Sequence, residues 1–293
     1  MVETVFVTGG TGFVGSRFLQ RAAAGRRILC LSRARPAKVP ANVEFIQGDL
    51  SVPETYANAL KGCAAVVHLA AVTGKSRPEN YFQVNREGVR ALIGECRRAE
   101  VPQFLFVSTI AAKFGNQSRY YYAQSKRQAE ELVAASGMRY TIVRPTMVLG
   151  KGSAVYAGLS KLANLPVIPI FGNGRALVQP VSVDDLSAAL SAILEDPAFT
   201  GRIVEIGGPE ILSIEKLLLK IRSGKGASVI HLPSGLMAAA VGLLEKVLLP
   251  VLPFTAGQIA SFVNDGTVER DPRVAEWQVG MQTLDQMLAS SRA

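Results

Sequence analysis

Tyr122-Ala-Gln-Ser-Lys126 is the single Tyr-x-x-x-Lys in the chain. On a helix, positions four apart share a face, which would set a phenol beside an ammonium. A free phenol titrates near pH 10, roughly. A neighbouring ammonium, or the positive nicotinamide of an oxidised cofactor, would favour the phenolate and lower that value. Such a tyrosine can give or take a proton at a carbonyl or an alcohol, and the lysine can hold the nicotinamide ribose. The spacing is common by chance and Tyr122 could simply be packed, so its position in the fold has to decide.

A second group of residues could hold a dinucleotide. Thr8-Gly9-Gly10-Thr11-Gly12-Phe13-Val14-Gly15 joins a strand-like run to a helix-like one. A pyrophosphate sits at such a place, on backbone N–H groups at a helix N-terminus. Gly9 would allow the tight turn, Gly12 the approach of phosphate, and Gly15 the close packing of helix on strand.

NAD binders carry an acid about 20 residues further on, at the end of the second strand. Here that point reads Ser32-Arg33-Ala34-Arg35, and residues 4 to 43 hold no Asp or Glu. They hold Arg17, Arg21, Arg26, Arg27, Arg33, Arg35 and Lys38. A guanidinium binds a 2′-phosphate that an acid would repel. NADP(H) is therefore favoured, with NAD(H) as the alternative. Arg33 is the leading contact, with Arg17 or Arg35 as helpers. These seven basic side chains supply +7 of the net charge of +9, so the excess reads as a cofactor preference rather than an affinity for polyanions.

The elements that must position these residues alternate. Strands are expected at Thr4–Thr8, Arg27–Leu31, Val43–Gln47, Ala64–His68, Gln103–Ser108 and Tyr140–Arg144. Helices are expected at Phe13–Ala24, Pro53–Leu60, Pro78–Glu100 and Tyr121–Ser136. Apolar strands alternating with helices predict an α/β fold, a Rossmann doubly wound parallel sheet with right-handed crossovers. Residues 1–150 form the dinucleotide-binding domain, and 176–206 return to it. Residues 151–175 and 207–293 form a smaller C-terminal substrate lobe. Gly150 to Gly174 reads as a loop-rich stretch. Ala176–Gln179 and Ile203–Ile206 read as strands, with a helix opening at Pro180–Asp185 on a Ser182 or Asp cap, another at Ser213, and a short strand at Val229–His231.

Composition excludes several chemistries. With 48% apolar and 19% charged residues the chain is globular, not disordered. Two histidines, His68 and His231, cannot build a multi-His metal site. Cys30, Cys63 and Cys96 are scattered, which points to a reduced compartment without a disulfide framework. No G-x-S-x-G elbow occurs. The N-terminus lacks the pattern of a signal peptide, so a cytoplasmic location is expected. The apolar stretch Gly235–Pro250 is interrupted by Glu245 and Lys246. It reads as a packed helix in preference to one lying on a membrane. No aromatic-basic motif supports nucleic-acid binding.

At this point the chain resembles the short-chain dehydrogenase/reductase superfamily, in its extended and atypical branches: epimerase/dehydratase-like and complex I subunit-like members. The resemblance rests on the glycine loop, Gly48-Asp49-Leu50, His68-Leu-Ala-Ala71, Val84-Asn85, Phe106-Val-Ser-Thr109, Tyr122/Lys126, Arg144-Pro145, Val183-Asp-Asp185 and Gly207-Gly-Pro209. It implies that Thr11, Phe13 and Val14 belong to the phosphate loop and that Asp49 and Leu50 flank the adenine. Ala70, Ala71 and Val72 would line the cofactor, Pro145 and Met147 touch the nicotinamide, and Asn85 kink its helix and relay protons through water. Aligning the fifth strand puts the catalytic hydroxyl at Thr109, with Ser108 the runner-up.

Departures narrow the subclass. Ile110 and Ala111 stand where sugar-nucleotide dehydratases have an acidic pair. Arg33 stands where UDP-sugar epimerases have an acid. Ala111–Tyr122 is shorter than usual for the extended branch. The expectation is NADPH-dependent reduction of a small-molecule carbonyl by a monomer or homodimer. A sugar-nucleotide epimerase and a non-catalytic NADP(H)-binding assembly subunit are the alternatives.

Overall fold

The computed structural model describes residues 3–23, 25–34, 36, 40–222, 226, 228–248, 255–269 and 271–292. Six strands of its main sheet are β1 (Thr4–Thr8), β2 (Arg27–Ser32), β3 (Val43–Gln47), β4 (Ala65–His68), β5 (Gln103–Val107) and β6 (Arg139–Pro145). Arg202–Ile206 is the seventh, and the order runs Arg202–Ile206, β6, β5, β4, β1, β2, β3. All pairings are parallel. The α/β Rossmann expectation is met.

The strands are apolar along their length because both faces are covered. On one face Val5, Val7, Ile28 and Cys30 pack with Phe18 and Leu19 of the Phe13–Ala22 helix and with Leu186, Leu190 and Ile193 of Val183–Glu195. On the other, Phe6, Leu29, Val66, Phe104 and Phe106 pack with Val89, Leu92, Ala129 and Val133. Strand order reverses between β1 and β4, so a crevice opens beyond their carboxyl ends, at Thr8 and His68.

The structure corrects several local expectations. Pro53–Leu60 forms two 3₁₀ turns, Pro53–Thr55 and Ala57–Leu60, instead of one α-helix. Tyr56 between them is buried against Phe6, and φ −134° takes it out of helical geometry. The expected long helix is Pro78–Phe82 and Gly88–Arg98 joined by a π-turn at Gln83–Glu87. Gly150–Gly174 is not mainly loop. It holds the Ser153-capped helix Ala154–Ala163 and the strand Val167–Phe171, which pairs in parallel with Ser228–Leu232. Tyr156, Leu159, Ile168 and Ile170 join Leu217, Leu218 and Ile221 in a third core that overrides the glycines between them.

The apolar stretch is the helix Ser234–Leu248, which buries Val241 against Phe171, Ala256 and Ile259. Leu236 and Leu243 remain exposed. Among the described residues no helix is long and apolar enough to cross a membrane. Ser182 caps Val183–Glu195 by accepting from Asp184 N–H at 3.1 Å.

Candidate active site

The glycine loop turns off β1 into the Phe13–Ala22 helix, whose N-cap, Gly12, brings no side chain to the orphan N–H groups. Gly9 sits at φ +72°, and a Cβ there would collide with the backbone of Ala70. A Cβ on Gly15 would strike the Gly9 carbonyl oxygen. Helix start, β1 end and the loop after β4 thus meet with bare backbone, a cradle that fits a pyrophosphate. Thr11 is exposed at its lip, with Phe13 and Val14 half-buried behind it. Gly10, which motif reading left unused, packs its Cα beside Cys30 and Leu19.

Most of the basic segment is neutralised by acids from distant elements. Arg17 faces Asp184 at 3.6 Å, Arg27 pairs with Glu44 at 2.7 Å and Arg26 with Glu195. Arg21 lies near enough to Asp185 to favour its carboxylate. Arg17 is therefore engaged across the helix pair and does not stand as a free helper at the adenosine end. The reading of the excess charge chiefly as a cofactor preference narrows, among the described residues, to Arg33. Arg33, exposed at the end of β2, faces Asp49 instead; that carboxylate accepts from Ser51 N at 2.8 Å and Ser51 Oγ at 2.7 Å. These bonds, and then Arg33, hold Asp49 below the usual carboxylate range. Leu50 is packed into the core beside Gly88. Arg35 and Lys38 lie outside the described residues.

The Tyr121–Ala134 helix follows the loop after β5 and carries both Tyr122 and Lys126. Lys126 Nζ is buried, donates to Val107 O at 2.6 Å, and lies 4.1 Å from the centre of the Phe106 ring. Burial pulls its pKa down to about 7, opposed by the charge of Glu130. Tyr122 is walled by Tyr120 and Tyr81, with ring centroids at 6.0 and 6.3 Å.

Burial pushes the Tyr122 phenol well above its ordinary value; a side-chain hydrogen bond with Thr109 pulls the other way. This corrects the expected lowering. The ammonium that was to favour phenolate is turned to Val107 and Phe106, and desolvation favours the neutral phenol.

Thr109 accepts from Ala111 N at 3.3 Å, capping the Ile110–Lys113 turn, which leaves its O–H free to donate. Ser108 Oγ is buried and lacks a partner among the described residues. Thr109 is thus the hydroxyl that meets Tyr122.

Asn85 stands in the π-turn, fully buried. Its Oδ1 accepts from Val72 N at 2.7 Å; its Nδ2 donates to Val72 O at 3.1 Å and Ser125 Oγ at 3.0 Å. Ser125 Oγ in turn donates to Tyr122 O at 2.8 Å. Both amide protons are committed, so the side chain reads as a clamp between the strand-β4 loop and the tyrosine helix rather than a proton carrier. Ala70 N–H reaches Thr8 Oγ1 at 3.4 Å, and Ala71 continues this half-buried run to Val72. Pro145 ends β6 buried, and Met147 packs on the third core.

Three contributors were given no role by the motifs. Ser125 is one. His68, stacked on Phe106 at 5.7 Å with Nδ1 2.7 Å from Thr8 Oγ1, is another; burial and the charge of Lys126 keep it neutral, down to about 3. Glu130 is the third. Among the described residues no His/Cys/Asp/Glu cluster could hold a metal.

Sheet order, glycine cradle and tyrosine helix together describe a Rossmann fold of the short-chain dehydrogenase/reductase type. The NAD dependent epimerase/dehydratase family matches residues 5–207, and the chain belongs to that family. It is similar to the ceramide reductase of Caulobacter vibrioides, 35% identical over 199 residues, which cover 66% of this chain and 61% of that protein. It is also similar to the 2-alkyl-3-oxoalkanoate reductase of Shewanella oneidensis, 27% identical over 303 residues, covering 88% and 78%. The crystal structure of gox2253 shares the fold with a TM-score of 0.74 at 23% identity, covering 99% of this chain and 97% of that one.

Proposed function

We propose that the chain is an NADPH-dependent reductase of a carbonyl compound that carries an apolar chain. The observation that carries this reading is Tyr122, a half-buried phenol that desolvation keeps neutral, hydrogen-bonded to the side chain of Thr109. A neutral phenol is the form a reduction needs, because the oxygen being reduced takes up a proton. NADPH, when bound, supplies the hydride.

Thr109 O–H donates to the substrate oxygen and fixes it against the phenol. Tyr122 gives its proton to that oxygen as the alcohol forms. Lys126, whose Nζ donates to the Val107 carbonyl, would hold the nicotinamide ribose. Asn85 clamps the Val72 loop to the Tyr122 helix. The cofactor's pyrophosphate would rest on the Gly9–Gly15 loop, the adenosine near Asp49 and Leu50, and the 2′-phosphate on Arg33. Ala70, Ala71, Val72, Ser108, Pro145 and Met147 would line the nicotinamide half.

The substrate side is apolar. Tyr81 and Tyr120 flank the phenol, and Phe114 packs on Tyr120. The Ser234–Leu248 helix closes on this wall through Arg119, whose Nη1 donates to Ala238 O at 2.9 Å. Its single acid, Glu245, is spent on Ala256 N–H. Two relatives named as reductases of ceramide and of a 2-alkyl-3-oxoalkanoate support the same class.

Sugar-nucleotide epimerisation would use the same Tyr122, Thr109 and Lys126 with tightly held NAD(H). Mass spectrometry of the nucleotide that co-purifies, followed by NADPH oxidation with long-chain 3-oxoacyl compounds, tests the reading. NADPH consumption with such a carbonyl is the expected result. Bound NAD(H) with turnover of UDP-sugars would replace it.

A further inference from the structure

Residues 110–121 connect the Thr109 hydroxyl to the Tyr122 phenol, and their far half is pinned at three places. Gln117 Nε2 donates to the carbonyl oxygens of Ala111 and Ala112 at 3.0 and 2.8 Å, which ties the segment to the turn that Thr109 caps. Tyr120 opens the tyrosine helix, its carbonyl oxygen accepting from Gln124 N–H at 3.0 Å. Between them stands Arg119, with φ at +93°. Glu100, the other non-glycine residue at positive φ among the described residues, takes an ordinary left-handed place after a helix at +55°. Arg119 lies outside that region, and a residue with a Cβ holds such a conformation only where its surroundings over-determine it.

Those surroundings come from the C-terminal segment. Arg119 Nη1 donates to Ala238 O of the Ser234–Leu248 helix at 2.9 Å. Its side chain lies along Gly242, where a Cβ would stand 2.9 Å from Nη1 and 3.6 Å from Cδ. The Arg119 carbonyl oxygen and Tyr120 Cα lie under Gly257, where a Cβ would come within 2.6 and 2.9 Å of them. Gly257 belongs to the Ala256–Ile259 helix, and Glu245 of the longer helix accepts from Ala256 N–H, so the two helices form one clasp. Two glycines on two helices are thus bare where one strained residue passes. The Tyr120 ring carries the contact inward, 6.0 Å from the ring of Tyr122.

We propose that Arg119 is a positioning residue: its strained backbone, held by the Ser234–Leu248 helix, sets where Tyr122 stands relative to Thr109. The helix that walls the substrate's apolar chain thereby also places the acid. This rests on the reading of Tyr122 as the proton donor, and one of the two measurements that test it needs neither substrate nor cofactor.

Arg119→Ala removes the guanidinium and keeps the strain. Arg119→Gly removes both, since glycine takes positive φ freely. Gly242→Ala evicts the guanidinium from the helix side. Its Cβ meets the far end of a flexible side chain, and alanine suits a helix better than glycine, so the fold should survive. Hydrogen exchange is followed on the free full chain at the amides of Gln124, Ser125 and Lys126, in the first turn of the tyrosine helix. Exchange should be about 3- to 10-fold faster in Arg119→Ala and Gly242→Ala, the worth of the lost bond. With NADPH and a long-chain 3-oxoacyl compound, kcat should fall about 10- to 100-fold in the same two variants, the loss expected of a displaced acid. The KM for NADPH should hold. The double variant should be no slower than the slower single one, because both break one link. Arg119→Gly should recover part of the kcat that Arg119→Ala loses. A merely structural tether would lower the melting temperature and leave exchange and kcat alone.

Exchange at the native rate in both variants overturns the proposal. So do losses of kcat that add in the double variant, or an Arg119→Gly as slow as Arg119→Ala. Should Arg119→Ala fail to fold, Gly242→Ala decides alone. A native chain that turns over no carbonyl removes the proton-donor reading and leaves exchange to decide the tether.

Discussion

Lys126 Nζ donates to the Val107 carbonyl oxygen at 2.6 Å, inside the core and under the sheet's active end. A lysine so placed binds its proton less tightly folded than unfolded. Its folded pKa is about 7 against an ordinary 10.5. Between those values the unfolded chain carries the proton and the folded chain does not, so this group makes stability rise with pH. Buried Cys30 and Cys63, both raised to about 11, act in the other direction once pH passes about 8.5. Urea melts from pH 7 to 8.5 should show the rise in the native chain and a flatter profile in Lys126→Met. Parallel profiles would show that Lys126 is not titrating there.

Tyr122→Phe removes one oxygen from a packed aromatic group. The neighbouring rings at 6.0 and 6.3 Å keep their partner. Stability should change by about 1 kcal/mol, the net worth of the bond to Thr109. Turnover with a competent carbonyl should fall about 10²- to 10⁴-fold, the usual share of a positioned proton donor. NADPH affinity should hold. Full turnover in the variant would remove Tyr122 from the chemistry.

The glycines separate two kinds of constraint. Gly15→Ala places a Cβ against the Gly9 carbonyl oxygen, so the loop must open or the helix must shift. Dinucleotide binding, followed by NADPH fluorescence, should be lost or fall at least about tenfold, and the melting temperature should drop. Gly94, inside the Gly88–Arg98 helix, has nothing within 4 Å of an added Cβ. Gly94→Ala should stabilise the chain by about 0.5–1 kcal/mol with cofactor binding unchanged. Equal losses in both variants would mean that the tight contact at Gly15 is not the cause.

What could be read from the chain followed the range of the interactions. The glycine loop and the Tyr122–Lys126 pair are local patterns set by one turn or one helix, and both fell where their spacing put them. The apolar runs of β1, β4 and β5 announced a sheet covered on both faces. Arg17 was misjudged because Asp184, its partner, comes from a helix far along the chain. The Tyr122 phenol was misjudged because its burial depends on Tyr81 and on the C-terminal segment behind Tyr120, which holds Ser261 3.4 Å from its hydroxyl. Glu130 carried no motif at all; the fork that holds it comes from Arg144 on β6. The Ala154–Phe171 helix and strand were hidden by glycines at 152, 158 and 172 that break the periodicity without breaking the core.

Cofactor choice comes down to one described side chain. Arg17, Arg26 and Arg27 each have an acid beside them, and Arg21 has Asp185. Arg33 is exposed at the end of β2, with Asp49 already bonded to Ser51. A 2′-phosphate arriving there would meet an available guanidinium, worth about 1.5–3 kcal/mol as a charge-assisted bond. Arg33→Ser should therefore weaken NADPH about 10- to 100-fold and leave NADH nearly unchanged. Arg33→Asp should go further, repelling the phosphate and accepting the ribose hydroxyls of NADH. Titrations with both nucleotides at two salt concentrations check it, since the Arg33 contribution to NADPH binding should shrink as salt rises. Equal affinities for the two nucleotides in the native chain would mean that the missing acid is not replaced by a phosphate contact.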